Sequence, residues 1–212
     1  MKKCSIILLF CLVTGYSWGQ TFSLHAGENW TWMKEVNGNT RLGYSKPFTG
    51  YNFSIGLEFL NNRLFSIGTS LGYITKSGNE TVNFTAPLYN PHTEIYKTDL
   101  SFITASAVLN LKFPLGRILR PYLFAGPRID YLVTDKISSS FGLNSKYASG
   151  ASTGGGVELK FLKLSVGAGV EYRFDFNHYS RAGSVPAVTG FVPASDMKER
   201  TLIASVSVKF RF

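Results

Sequence analysis

The sequence predicts an all-β protein, an eight-stranded antiparallel up-and-down transmembrane β-barrel with long extracellular loops and short periplasmic turns. Three observations carry that prediction. Apolar and polar residues alternate with period two in segment after segment, most cleanly at the end of the chain, where Leu202, Ala204, Val206, Val208, Phe210 and Phe212 share one parity. The number of such segments is eight, and a closed antiparallel barrel of the bacterial outer-membrane type needs an even number. The connections between them alternate strictly between long and short, as they do when all loops lie on one side of a membrane and all turns on the other.

The amino terminus sets the compartment. Lys2 and Lys3 precede an apolar run over residues 6–13, and Ser17 and Gly19 supply small residues before Gln20. This pattern reads as a secretory signal over residues 1–19, with the mature domain over 20–212. The run is too short for a spanning helix, which needs about 20 apolar residues. Cys4 and Cys11 both fall inside the signal, so the mature chain is expected to carry no thiol, disulfide or thiolate metal site.

Period-two reading places strands near 21–33, 49–60, 64–76, 96–113, 121–135, 150–161, 163–177 and 199–212. In the second, Tyr51, Phe53, Ile55, Leu57 and Phe59 oppose Asn52, Ser54, Gly56 and Glu58. In the seventh, Leu164, Val166, Ala168, Val170, Tyr172, Phe174 and Phe176 oppose a face holding Glu171, Arg173 and Asp175. The third, fifth and sixth follow the same rule. An eight-stranded barrel encloses room for few side chains, so five to seven large apolar residues per strand would overfill it if turned inward. Facing lipid they are accommodated, and the Gly, Ser, Thr and single charges of the other face suit a narrow polar lumen. Aromatic residues near strand ends, among them Trp30, Trp32, Tyr51, Phe59, Phe65, Tyr73, Phe161 and Phe210, fit interfacial girdles.

Two strands break the pattern. In the first, Glu28 shares the parity of Phe22, Leu24, Ala26, Trp30 and Trp32, where a carboxylate in the hydrocarbon is destabilising unless a bulge turns it inward. In the fourth, Ile103, Ala105, Ala107, Leu109, Leu111 and Phe113 are assigned outward and Thr104, Ser106, Asn110 and Lys112 inward, against the apolar Phe102 and Val108. Residues 61–63 are expected to close a three-residue loop. Phe161 opposite Leu164 implies a tight turn at Leu162-Lys163, which sets Gly154 opposite Glu171 and Glu158 opposite Gly167.

Composition excludes some functions. The formal charge of +9 falls to +7 once Lys2 and Lys3 are removed, but the remaining cations are scattered singly over alternating strands, and an exported chain meets little nucleic acid. No nucleic-acid partner is expected; attraction to anionic headgroups explains the charge.

The stretch Arg120-Pro121-Tyr122-Leu123-Phe124-Ala125-Gly126-Pro127 resembles the porin-like outer-membrane β-barrel family that includes the PorT-like proteins. Gly154-Gly155-Gly156-Val157-Glu158-Leu159-Lys160 with the strand that follows, and Phe210-Arg211-Phe212 at the end, resemble the same family's late hairpin and terminal strand. The resemblance covers residues 20–212 and implies residence in the bacterial outer membrane, insertion by the barrel-insertion machinery, and a role among diverse ones that include secretion-system assembly. Ile103 to Lys112 lacks the proline expected in the fourth strand.

The best lumen charge cluster is Arg128, Asp130, Glu171, Arg173 and Asp175, because the fifth and seventh strands rise from the same side. It reads either as a gate or solute-selecting ring or as ion pairs filling a closed interior, and the second is preferred because barrels of this size are usually filled by their own side chains. His25, His92 and His178 are too dispersed to suggest a metal pair, and no metal or cofactor is expected. Asp175, His178 and Ser180 sketch a nucleophile constellation without a supporting motif, so no enzyme is expected. The loops offer Phe84, Tyr89, Tyr179 and Phe191 as contacts for another envelope protein, or for one another. The leading expectation is a binding, structural or assembly component; a narrow passive pore is second and a rim-located lipid-modifying enzyme third.

Overall fold

The computed structural model describes residues 20–37, 42–43, 46–84, 92–116, 118–137, 146–177, 179–181 and 195–212. Eight long strands form the barrel: β1 (Thr21–Asn37), β2 (Phe48–Phe59), β3 (Phe65–Phe84), β4 (His92–Lys112), β5 (Leu119–Ile137), β6 (Tyr147–Phe161), β7 (Leu164–Asp175) and β8 (Ser195–Arg211). Each pairs antiparallel with its sequence neighbour, and β8 closes on β1 from Thr21–Arg211 up to Asn37–Asp196. Two short strands, Leu42–Gly43 and Tyr179–Arg181, add to β3 and β8.

The register fixes the shape. Stepping across ladder partners from Leu109 through Ala125, Thr153, Tyr172, Leu202, Trp30, Thr49 and Ser77 returns to β4 at Asp99, ten residues from the start. A stagger of that size over eight strands, with the usual strand spacing, tilts the strands by about 40° and gives a barrel radius of about 8 Å.

The faces fall as the alternation predicts. Tyr51, Phe53, Leu71, Leu123, Ile129, Val170 and Val206 are exposed on the outside, while Ser23, Asn52, Glu58, Ser66, Asp130, Ser152 and Lys209 are buried in the lumen. β4 takes the register assigned to it: Ile103, Leu109, Leu111 and Phe113 face out, and Phe102 is buried with Thr104, Asn110 and Lys112. Phe102 and Val108 are the residues that argue against this choice, and both are accommodated inside: Phe102 is buried in the upper lumen and Val108 lines the cavity below it.

Three expectations are corrected. The extracellular connections are shorter and the strands longer than alternation implies, since β3 and β4 stay paired through Gly78–Thr98 and Asn79–Lys97 to Phe84–His92. Above the membrane both faces of a hairpin meet water, so apolar alternation stops while the hydrogen-bonded ladder continues. The turn after β2 is wider than three residues: the last pair is Phe59–Ile67, and the Asn62 N–H donates to the Leu60 carbonyl at 2.8 Å and to that of Phe65 at 2.9 Å. Leu60 bends the chain there with φ of 47°, a left-handed conformation that is costly for leucine. Finally, no bulge turns Glu28 inward. It sits in unbroken register between Ala204 and Tyr51, exposed on the outside, and the irregularity in β1 lies at Glu35/Asn37 instead. Its rung is next to Trp30 and two below Trp32, near the upper aromatic girdle, where a carboxylate reaches the polar interface and its cost is small.

The turn at Leu162-Lys163 is as tight as expected. Phe161 pairs with Leu164, Gly154 with Glu171 and Glu158 with Gly167, and Leu162 takes φ of 53°. The glycines make room for long side chains: a Cβ on Gly154 would lie 2.6 Å from the Phe124 ring.

Candidate functional site

The lumen is built in three levels. At the short-turn end Glu58 of β2 accepts hydrogen bonds from Lys112 of β4 at 2.6 Å and from Lys209 of β8 at 2.5 Å. Lys112 also donates to Asn61 at 2.8 Å, the Ser66 hydroxyl donates to Glu58 at 3.1 Å, and Glu158 stands 3.8 Å from Lys209. The Lys209 ammonium lies 5.2 Å from the centre of the Tyr122 ring. All three charged side chains around Glu58 are under a tenth exposed, so water screens them little. The pairs reach across the lumen and tie strands that are not neighbours.

The upper level combines ion pairs with an apolar layer. Arg128 of β5 donates to Asp130 on its own strand and to Asp175 of β7, while Lys76 of β3 reaches Glu199 of β8 across the barrel. The Thr201 hydroxyl donates to Glu199 at 2.8 Å, and the Lys76 ammonium sits 4.4 Å above the Phe102 ring. Phe48, Ile74, Leu100, Phe102, Leu132 and Ile203 are buried among these charges, none more than 6% exposed. Among the described residues, partnered charges interleaved with rings fill the lumen at this level.

Between the two lies a polar cavity with about 770 Å³ unfilled by protein atoms, lined by His25, Ser70, Ser106, Glu171 and Arg173 among others. Arg173 donates to Glu171 through Nε at 2.6 Å. The buried Asn52 Oδ1 and Arg173 Nη1 find no partner within the protein, and the cavity has room for several waters to satisfy them.

The family described as outer membrane protein beta-barrel domain matches residues 29–210. The chain belongs to that family. This places it in the bacterial outer membrane, with the greasy face toward lipid and the short turns toward the periplasm. Among solved structures it is similar to the outer membrane protein OprG from Pseudomonas aeruginosa, at 13% identity and a TM-score of 0.55, covering 90% of this chain and 95% of that one. It is also similar to Neisserial surface protein A, at 16% identity and a TM-score of 0.48, covering 89% and 97%. No curated protein sequence matches the chain.

The five lumen residues singled out by parity therefore sit in one outer-membrane barrel lumen, but as two groups: Arg128, Asp130 and Asp175 in the upper plug, Glu171 and Arg173 at the upper wall of the cavity. Two elements were missed. The Glu58–Lys112–Lys209 cluster was within reach, because these residues were assigned inward and the ends of the second, fourth and eighth strands meet at one side of an up-and-down barrel. The Lys76–Glu199 pair sits where alternation fades, at the ends of the expected third and eighth strands. Of the loop residues, the Phe84 backbone pairs with His92 and the Tyr179 backbone with Met197, while Tyr89 and Phe191 lie outside the described residues, as does His178.

Proposed function

We propose that this protein is a binding or assembly component of the outer membrane, exported by its amino-terminal signal and acting through its extracellular hairpins. The observation that carries this reading is the contrast between lumen and exterior. The lumen is plugged at both ends by paired charges and rings, whereas the β3–β4 ladder continues far above the aromatic girdle to Phe84–His92. Such plugs oppose a solute route, and an extended hairpin offers its backbone to another envelope protein. The likeness of Arg120 to Pro127 to PorT-like proteins supports an assembly role in particular. The rim-enzyme reading is disfavoured because Asp175, the residue needed to orient a histidine base, is held by Arg128.

The test is cross-linking and co-purification from native membranes. A stoichiometric envelope partner should be captured by the native chain and lost when Phe84, Tyr89, Tyr179 and Phe191 are replaced by serine with the barrel still folded. Equal capture by both chains would overturn the reading.

A further inference from the structure

Below Glu58 and Glu158 the lumen opens into a periplasmic mouth with about 310 Å³ of unfilled space. Its lining takes Lys112, Glu58 and Glu158 from the cluster above and adds four further cations: Arg120 of β5, Lys160 of β6, Lys163 of the tight turn and Arg211 of β8. The ladder brings them together. Arg120 lies opposite Glu158, two residues before Lys160 on the same inward face. Lys160 lies opposite Ser165, whose partner on the other side is Lys209, two residues before Arg211. The Arg211 N–H in turn donates to the Lys163 carbonyl at 2.8 Å. Diagonal neighbours of this kind stand about 7–8 Å apart at the backbone, within reach of long side chains, so the four cations form one arc across β5 to β8.

Two carboxylates, Glu58 and Glu158, share the mouth with this arc, and both are paired with the lysines above it. Glu58 is engaged by Lys112 and Lys209, Glu158 stands nearest Lys209, and none of the four cations pairs with a carboxylate among the described residues. Deeper in the lumen the rule is the opposite: Lys76, Lys112, Arg128, Arg173 and Lys209 each have a carboxylate partner. Clustered like charges beside a low-dielectric wall repel one another and concentrate anions. Two guanidiniums offer paired N–H donors and two ammoniums act as mobile point charges, a donor set that suits the oxygens of a phosphate group. The mouth opens toward the periplasm, where a phosphate group can approach the cations at its rim.

We propose that the periplasmic mouth binds a phosphate group, presented as inorganic phosphate or as the headgroup of an anionic phospholipid from the adjacent leaflet. The full folded barrel in zwitterionic micelles is titrated with inorganic phosphate, and its unfolding midpoint is compared in nanodiscs of phosphatidylcholine with and without phosphatidylglycerol. The variant R120Q/K160Q/R211Q tests the site, and K198Q/R200Q, which removes two exposed charges at the opposite end, serves as the comparison. Saturable phosphate binding, at least tenfold weaker in the triple variant and unchanged in the double one, supports the proposal with a soluble source. A phosphatidylglycerol-dependent rise in midpoint, lost only in the triple variant, supports it with a lipid source. Equal responses of the triple variant and the native barrel overturn it, as does the absence of any response to either probe. The triple variant breaks no ion pair and is expected to fold; should it fail, K163Q in the exposed turn carries the test, with binding about threefold weaker expected and no change refuting.

Discussion

Replacing Glu58 by glutamine removes the one carboxylate that joins two buried ammoniums. Lys112 and Lys209 approach it at 2.6 and 2.5 Å, and their side chains are only 2% and 6% exposed. In Glu58→Gln, Lys112 keeps the Asn61 oxygen at 2.8 Å, and Lys209 keeps Glu158 at 3.8 Å and the Tyr122 ring at 5.2 Å. Breaking a buried pair by removing one partner costs about 3–5 kcal/mol, and the compensation by Glu158 places this variant at the lower end, about 3 kcal/mol. Urea unfolding of the barrel in lipid vesicles, followed by tryptophan fluorescence, measures it. With a slope of about 1.5 kcal/mol per molar, the midpoint falls by about 2 M. A second variant, Glu58→Leu with Lys112→Met, removes carboxylate and ammonium together and should recover most of the loss, leaving Lys209 to Glu158. A cost below about 1 kcal/mol for Glu58→Gln would refute the claim that this cluster holds the lower lumen together.

Other perturbations address the register and the seam. Gly156→Ala sets a Cβ 2.3 Å from the Ala168 carbonyl oxygen, and the resulting overpacking should lower stability by about 1–3 kcal/mol in the same urea assay. Glu28→Leu should leave stability unchanged or slightly raised, since the side chain faces lipid near the girdle; a clear loss would mean that position 28 faces the polar lumen. Deleting Phe212, whose ring meets Phe210 edge-on at 5.2 Å, should slow membrane insertion, and insertion at the native rate counts against its reading as a terminal insertion signal.

The barrel was legible because lipid on one side and a polar lumen on the other impose strict alternation, and each strand from Tyr51 to Phe59 or Leu164 to Phe174 records it separately. Glu28 and Phe102 were hard to place for opposite reasons. Glu28 departs from alternation because the girdle region tolerates a carboxylate on the outside, and Phe102 because the upper plug needs a large ring inside. The lumen charges were legible one by one through parity, but their partners were not. Lys76 and Glu199 are 123 residues apart and meet only because the barrel curves. The extent of the hairpins escaped altogether, since backbone pairing above the membrane leaves no mark in hydropathy.

The proposed function requires that the two charged plugs seal the lumen, and planar-bilayer recording of the purified barrel tests that most directly. The sealed lumen predicts a flat baseline with at most brief flickers under applied voltage. Steady, uniform single-channel steps would contradict it and restore the passive pore.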